Sequence, residues 1–125
     1  MKPMSHRFPW LIATLLVAAV VGVLEQWAIT DFLYWRYTWF DIVMHFLGGL
    51  TIGLALVALI GSRFRPVWFL VLMIAVAVGW EVFEALVGIP REANFKLDTA
   101  LDLLMDTLGA LLAYGIARFT LWRSA

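Results

Sequence analysis

The chain reads as an all-α integral membrane protein, a four-helix transmembrane bundle with both termini on the cytoplasmic side (N-in/C-in). Three observations predict this class. Hydrophobic residues make up 64% of the 125 residues against 14% charged, with a mean hydropathy of +0.93, far from the balance of a soluble domain. The apolar residues fall into four runs, each close to the roughly 20 residues that cross a hydrocarbon layer. Alternating apolar residues are sustained nowhere, and an open sheet cannot satisfy its edges in lipid, so helices are the economical solution.

The first span is expected over about 9–29. Lys2 and Arg7 before an apolar run give it the layout of a secretory signal, but no small-residue cleavage site follows. The run leads straight into Glu25, Gln26 and Trp27, so an uncleaved span is expected. The second span, about 39–61, ends at Ser62-Arg63-Phe64-Arg65-Pro66, where two arginines favour water and a proline breaks the helix. A third span is expected over about 67–88. After the loop Ile89-Pro90-Arg91-Glu92-Ala93-Asn94, a fourth runs over about 97–122. One four-helix transmembrane domain over 1–125 accounts for the sequence, which contains no repeat or low-complexity stretch.

Orientation follows from the basic residues. Lys2, Arg7, Arg63, Arg65, Arg118 and Arg123 share the side of both termini, whereas Arg36, Arg91 and Lys96 lie on the other. Trp10, Trp68 and Trp122 fall near the inner interface, and Trp27, Trp35 and Trp39 near the outer one. Zero net charge with scattered basic residues leaves no nucleic-acid footprint. The absence of cysteine excludes disulfides, thiolate ligands and a cysteine nucleophile.

Against this map every acidic residue falls on the outer side: Glu25, Asp31, Asp41, Glu81, Glu84, Glu92, Asp98, Asp102 and Asp106. A carboxylate in hydrocarbon costs several kcal/mol unless paired, protonated or coordinated, so such groups mark a site. At about 1.5 Å rise per residue, His45 lies about 6 Å deeper than Asp41 on the same face of span two. Glu81 and Glu84 are neighbours on span three. Asp98, Asp102 and Asp106 form one stripe reaching about 12 Å down span four. Glu25 could reach the rim of this layer, Asp98 suits a helix N-cap or an anion favoured by the helix dipole, and Asp31 and Glu92 suit solvated loops.

Carboxylates this close repel unless some are protonated, paired with Arg36, Arg91 or Lys96, or bound to a cation. Oxygen ligands with one imidazole suit a divalent Mg, Mn, Fe or Zn ion, for which Asp41, His45, Glu81, Glu84, Asp102 and Asp106 are the candidate ligands. Such an ion would polarise a phosphoryl or carbonyl oxygen and acidify a bound water. Glu84 is then a candidate general base, and Arg91 a candidate for steering an anionic head group. Gly49 and Gly53, and the Gly109, Ala113, Ala117 ridge, read as close-packing surfaces, either within one chain or between copies in a homo-oligomer.

The motifs Asp41-Ile-Val-Met-His45-Phe, Trp80-Glu81-Val-Phe-Glu84, Arg91, and Asp98-Thr-Ala-Leu-Asp102-Leu-Leu-Met-Asp106-Thr-Leu-Gly109-Ala resemble the VanZ-like superfamily of small bacterial membrane proteins. They are most similar to its YjdF-type branch. The VanZ pattern often carries Gln where Glu84 stands and Asn where Asp106 stands, so this copy is more acidic. The resemblance implies a bacterial inner-membrane location and a shared polar cluster, without an established reaction.

Two function classes fit these residues. One is a metal-dependent membrane enzyme acting on a lipid or cell-envelope precursor at the outer leaflet. The alternative is a small proton- or cation-coupled transporter. A carrier would tend to place its site near the midplane, and below His45 and Asp106 only Thr14, Thr51 and Tyr114 offer polar steps. A non-catalytic accessory subunit, with the polar network fixing helix register, is the third reading.

Overall fold

The computed structural model describes residues 4–61, 66–88 and 95–123, and among these the only regular structure is helical. Five helices follow in order: α1 (Met4–Asp31), α2 (Leu33–Arg36), α3 (Thr38–Ile60), α4 (Pro66–Val87) and α5 (Phe95–Phe119). All but α2 are long and apolar enough to cross a membrane. Arg63, Arg65, Arg91 and Glu92 lie outside the described residues.

The four spans read from the sequence correspond to α1, α3, α4 and α5, with differences at the edges, among them α5 ending at Phe119 rather than near 122. Helix α1 begins at Met4 and carries Pro9 inside it, past the first turn, where the proline removes one backbone hydrogen bond of the ladder. Between the first two spans the chain also makes the extra turn α2. Phe32 takes a left-handed conformation (φ 55°, ψ 41°), which stops α1, and buried Leu33 then anchors the short helix. Pro66 opens α4, where its missing N–H has no intrahelical partner to lose.

Helix α3 is central, packing most extensively on α5 and next on α1, while α4 rests more lightly on α3 and α5. The α3–α5 seam depends on small residues. A Cβ at Gly49 would fall on the backbone carbonyl of Asp106, and one at Gly109 would fall on the carbonyl of Phe46. A Cβ at Gly53 would come within 2.7 Å of the Ala113 Cβ and 2.9 Å of the Ala110 Cα. Helix backbones approach this closely only where side chains are absent or are single methyl groups. These surfaces therefore pack within the chain.

Each end of the bundle has its own apolar cluster. At the acidic end, Phe40 and Met44 of α3 meet Ala28 of α1 and Leu33 of α2. At the opposite end, Val57, Phe69, Met73, Ala110, Ala117 and Trp122 form the larger cluster. Trp122 lies past the end of α5 and is buried in that cluster, where the sequence map has it at the interface. Its indole Nε1 donates to the Gly61 carbonyl at 2.7 Å, and Arg118 donates to its carbonyl at 2.6 Å. Most of α1 and α4 stays apolar and exposed, as expected of lipid-facing helices.

Candidate metal centre

His45 lies one turn beyond Asp41 on α3, and the Gly49–Asp106 contact sets the depth at which α5 meets it. Two carboxylates of the α5 stripe therefore arrive on either edge of one imidazole. Nδ1 of His45 lies 3.1 Å from Asp106 Oδ1. Nε2 faces Asp102 Oδ1 at 3.4 Å and Asp41 Oδ1 at 3.6 Å. The His45 side chain is 11% exposed, that of Asp102 6% and that of Asp106 8%.

These distances divide into two kinds. The Nδ1 contact with Asp106 lies within hydrogen-bond range. The two Nε2 separations exceed good hydrogen-bond length. They are close to the roughly 3.3 Å edge that two ligands make around a tetrahedral ion with bonds of about 2.0–2.2 Å. Asp41, His45 and Asp102 each offer a ligand atom within 4.8 Å of the others, the arrangement needed to share one ion.

The α4 acids stand outside that group. Glu81 is buried, and Glu84 accepts a 2.8 Å hydrogen bond from the Trp80 indole. Arg91 lies outside the described residues. Glu25 accepts from the Tyr34 hydroxyl at 2.5 Å, which ties α1 to α2 beside the cluster. Burial, followed by that hydrogen bond and by the charges of Glu25, Asp41 and Glu84, pushes the Tyr34 phenol well above its ordinary range. Asp31 accepts from Trp27 at 2.6 Å on the exposed side of α1.

Asp98 is not an N-cap, because α5 starts at Phe95 and places it inside the first turn. It lines a cavity of about 260 Å³ with Asp41, Asp102, Trp39, Ile42 and Leu101. The spacing of Asp98 four residues before Asp102 was the available signal for this placement. Tyr34 and the short helix that carries it had no periodic signal at all.

Below the cluster, polar side chains are satisfied locally. Thr51 donates to Leu47 O at 2.8 Å and Thr14 to Trp10 O at 2.7 Å, each one turn back on its own helix. The Tyr114 ring makes tilted contacts with those of Phe69 and Trp122.

Fold and cluster together define a helical membrane protein with an Asp–His group between two of its spanning helices. The chain belongs to the predicted membrane protein family DUF2238, whose model matches residues 2–123. No curated protein and no solved structure matches it.

Proposed function

We propose that this protein holds a divalent cation between Asp41, His45 and Asp102, in a pocket open to the outer face of a bacterial inner membrane. The observation that carries this reading is the division of labour on His45. Nδ1 is occupied by Asp106, and Nε2 is turned to two carboxylates at coordination-edge distances. A metal-binding histidine commonly donates its other N–H to a carboxylate, which fixes the tautomer and ring orientation. Asp106 fills that role, which is a more specific assignment than direct ligation.

A bound ion would also offset the mutual repulsion of Asp41, Asp102 and Asp106. Three protein ligands would leave coordination positions for water or substrate, as in catalytic metal sites. The ion would polarise a phosphoryl or carbonyl oxygen of a lipid or cell-envelope substrate. Glu84 keeps acceptor capacity beyond its bond to Trp80 and is the candidate general base. Arg91 is the candidate for steering an anionic head group.

The bacterial inner-membrane assignment rests on the VanZ-like, YjdF-type resemblance. The orientation with both termini inside rests on the excess of Lys and Arg at their end. The locally bonded Thr14 and Thr51 favour a one-sided site over a transport path. Metal analysis of detergent-purified protein tests the reading, with stoichiometric metal expected in the wild type and loss expected in Asp41→Asn and Asp102→Asn. Metal-free wild type whose thermal stability ignores both chelator and added metal would refute it.

A further inference from the structure

We propose that the cavity between the first turns of α3 and α5 takes the phosphate head group of a lipid entering sideways from the adjoining leaflet, its oxygens completing the shell of the cation. The proposal rests on the divalent-cation reading above and adds the substrate class and its route.

Depth is the first argument. Ile42 lies about 6 Å along α3 from Thr38, and Asp102 about 6 Å along α5 from Asp98. The head-group layer on one side of a bilayer is roughly 5–7 Å thick. The cavity therefore sits where a phosphate meets the acyl region.

Wall chemistry is the second. Trp39, Ile42 and Leu101 of the lining are all exposed and belong to candidate membrane-spanning segments, so they offer apolar surface to lipid. Asp41 and Asp102 line the same cavity and face Nε2 of His45. Apolar and acidic side chains in one lining match an amphiphile better than a water-soluble solute. At about 260 Å³ the cavity falls just below the usual range of small-molecule sites, about 300–1,000 Å³. It can hold a head group and leave the acyl chains in the bilayer.

Charge is the third. The described lining includes Asp41, Asp98 and Asp102, whose negative charge a bound cation would offset for an entering anion. An ammonium head group is the competing occupant. With N⁺–H···O bonds of about 2.8 Å it would hold its acceptors roughly 4.6 Å apart. The ligand atoms of Asp41, His45 and Asp102 lie within 4.8 Å of one another, a spread that admits either occupant, so dependence on chelation separates the two. Phosphoryl oxygens are hard ligands that such an ion accepts.

The test uses full-length protein in nanodiscs of phosphatidylcholine, with Mn²⁺ as metal probe and phosphatidic acid as lipid phosphate. Mn²⁺ binding is read by electron paramagnetic resonance, and lipid binding by native mass spectrometry. Phosphatidic acid should bind and alter the Mn²⁺ spectrum, and both effects should vanish on chelation. Leu101→Trp, which fills the cavity wall without touching a ligand, should keep Mn²⁺ affinity and weaken phosphatidic acid by about tenfold or more, or roughly 1.4 kcal/mol. If Mn²⁺ binds and phosphatidic acid does not, the lipid proposal falls while the metal reading stands. If Mn²⁺ fails to bind, the metal reading falls and takes this proposal with it. Inorganic phosphate binding as tightly as phosphatidic acid would overturn the lipid assignment. Phosphatidic acid or an alkylammonium binding equally well under chelation would overturn the metal-bridged mode.

Discussion

Nδ1 of His45 lies 3.1 Å from Oδ1 of Asp106, an orienting contact that leaves Nε2 turned toward Asp41 and Asp102. Removing the orienting charge and removing a ligand should therefore differ in degree. Asp106→Asn retains an oxygen that can accept the N–H, and metal affinity should fall about 10–100-fold, the usual scale for such a partner. Asp102→Asn should abolish measurable binding. Titration of both variants with Mn²⁺ or Zn²⁺ in detergent checks the order, and equal losses would assign Asp106 as a ligand.

The α3–α5 seam makes a second prediction. Gly49→Ala and Gly109→Ala each place a methyl on the backbone of the opposite helix, and overpacking of this kind costs typically 1–3 kcal/mol. Both should lower the thermal midpoint and weaken metal binding, because the same contact sets His45 against α5. Gly22→Ala and Gly79→Ala meet nothing within 4 Å and should be neutral or stabilising by up to about 1 kcal/mol. Thermal melts of the four variants decide the matter.

At the opposite end, Trp122→Phe removes the indole donor to the Gly61 carbonyl while keeping most of the ring volume. A buried acceptor left without its donor costs about 1–3 kcal/mol. Stability should drop by that amount with metal affinity unchanged, since the site lies at the other end of α3. A parallel loss of metal binding would contradict this separation.

Tyr34 gives a pH prediction. Its folded pKa is raised above the ordinary phenol value of 10.0 by burial and by Glu25, so the fold favours the neutral phenol. That contribution is complete below pH 10.0 and is lost as pH climbs from there toward the folded value. The stability difference between wild type and Tyr34→Phe should therefore shrink above pH 10, followed by circular dichroism melts at rising pH.

The helical class and the four spans were legible because lipid demands long apolar runs, and Pro66 and the arginine-bearing loop punctuate them. The meeting of Asp41, His45, Asp102 and Asp106 was legible for a similar reason: spacings of four keep residues on one helix face, and depth follows from rise per residue. Rotation about the helix axis is not encoded in spacing. Hence the α3–α5 character of the metal-competent group required packing information. Nor could periodicity reveal α2, whose single turn depends on Phe32 adopting a left-handed conformation. Of the two roles that Asp98 suits, the N-cap fails because α5 already includes Phe95, whereas an anion at the positive end of the helix dipole fits its place in the first turn.

The most direct measurement is anomalous scattering from crystals of the purified protein grown with Mn²⁺ or Zn²⁺. A single peak about 2.0–2.2 Å from His45 Nε2 and from carboxylate oxygens of Asp41 and Asp102, with Asp106 still bonded to Nδ1, is the predicted result. Density without such a peak at saturating metal, with Nε2 instead hydrogen-bonded to one of the two carboxylates, would contradict the metal site.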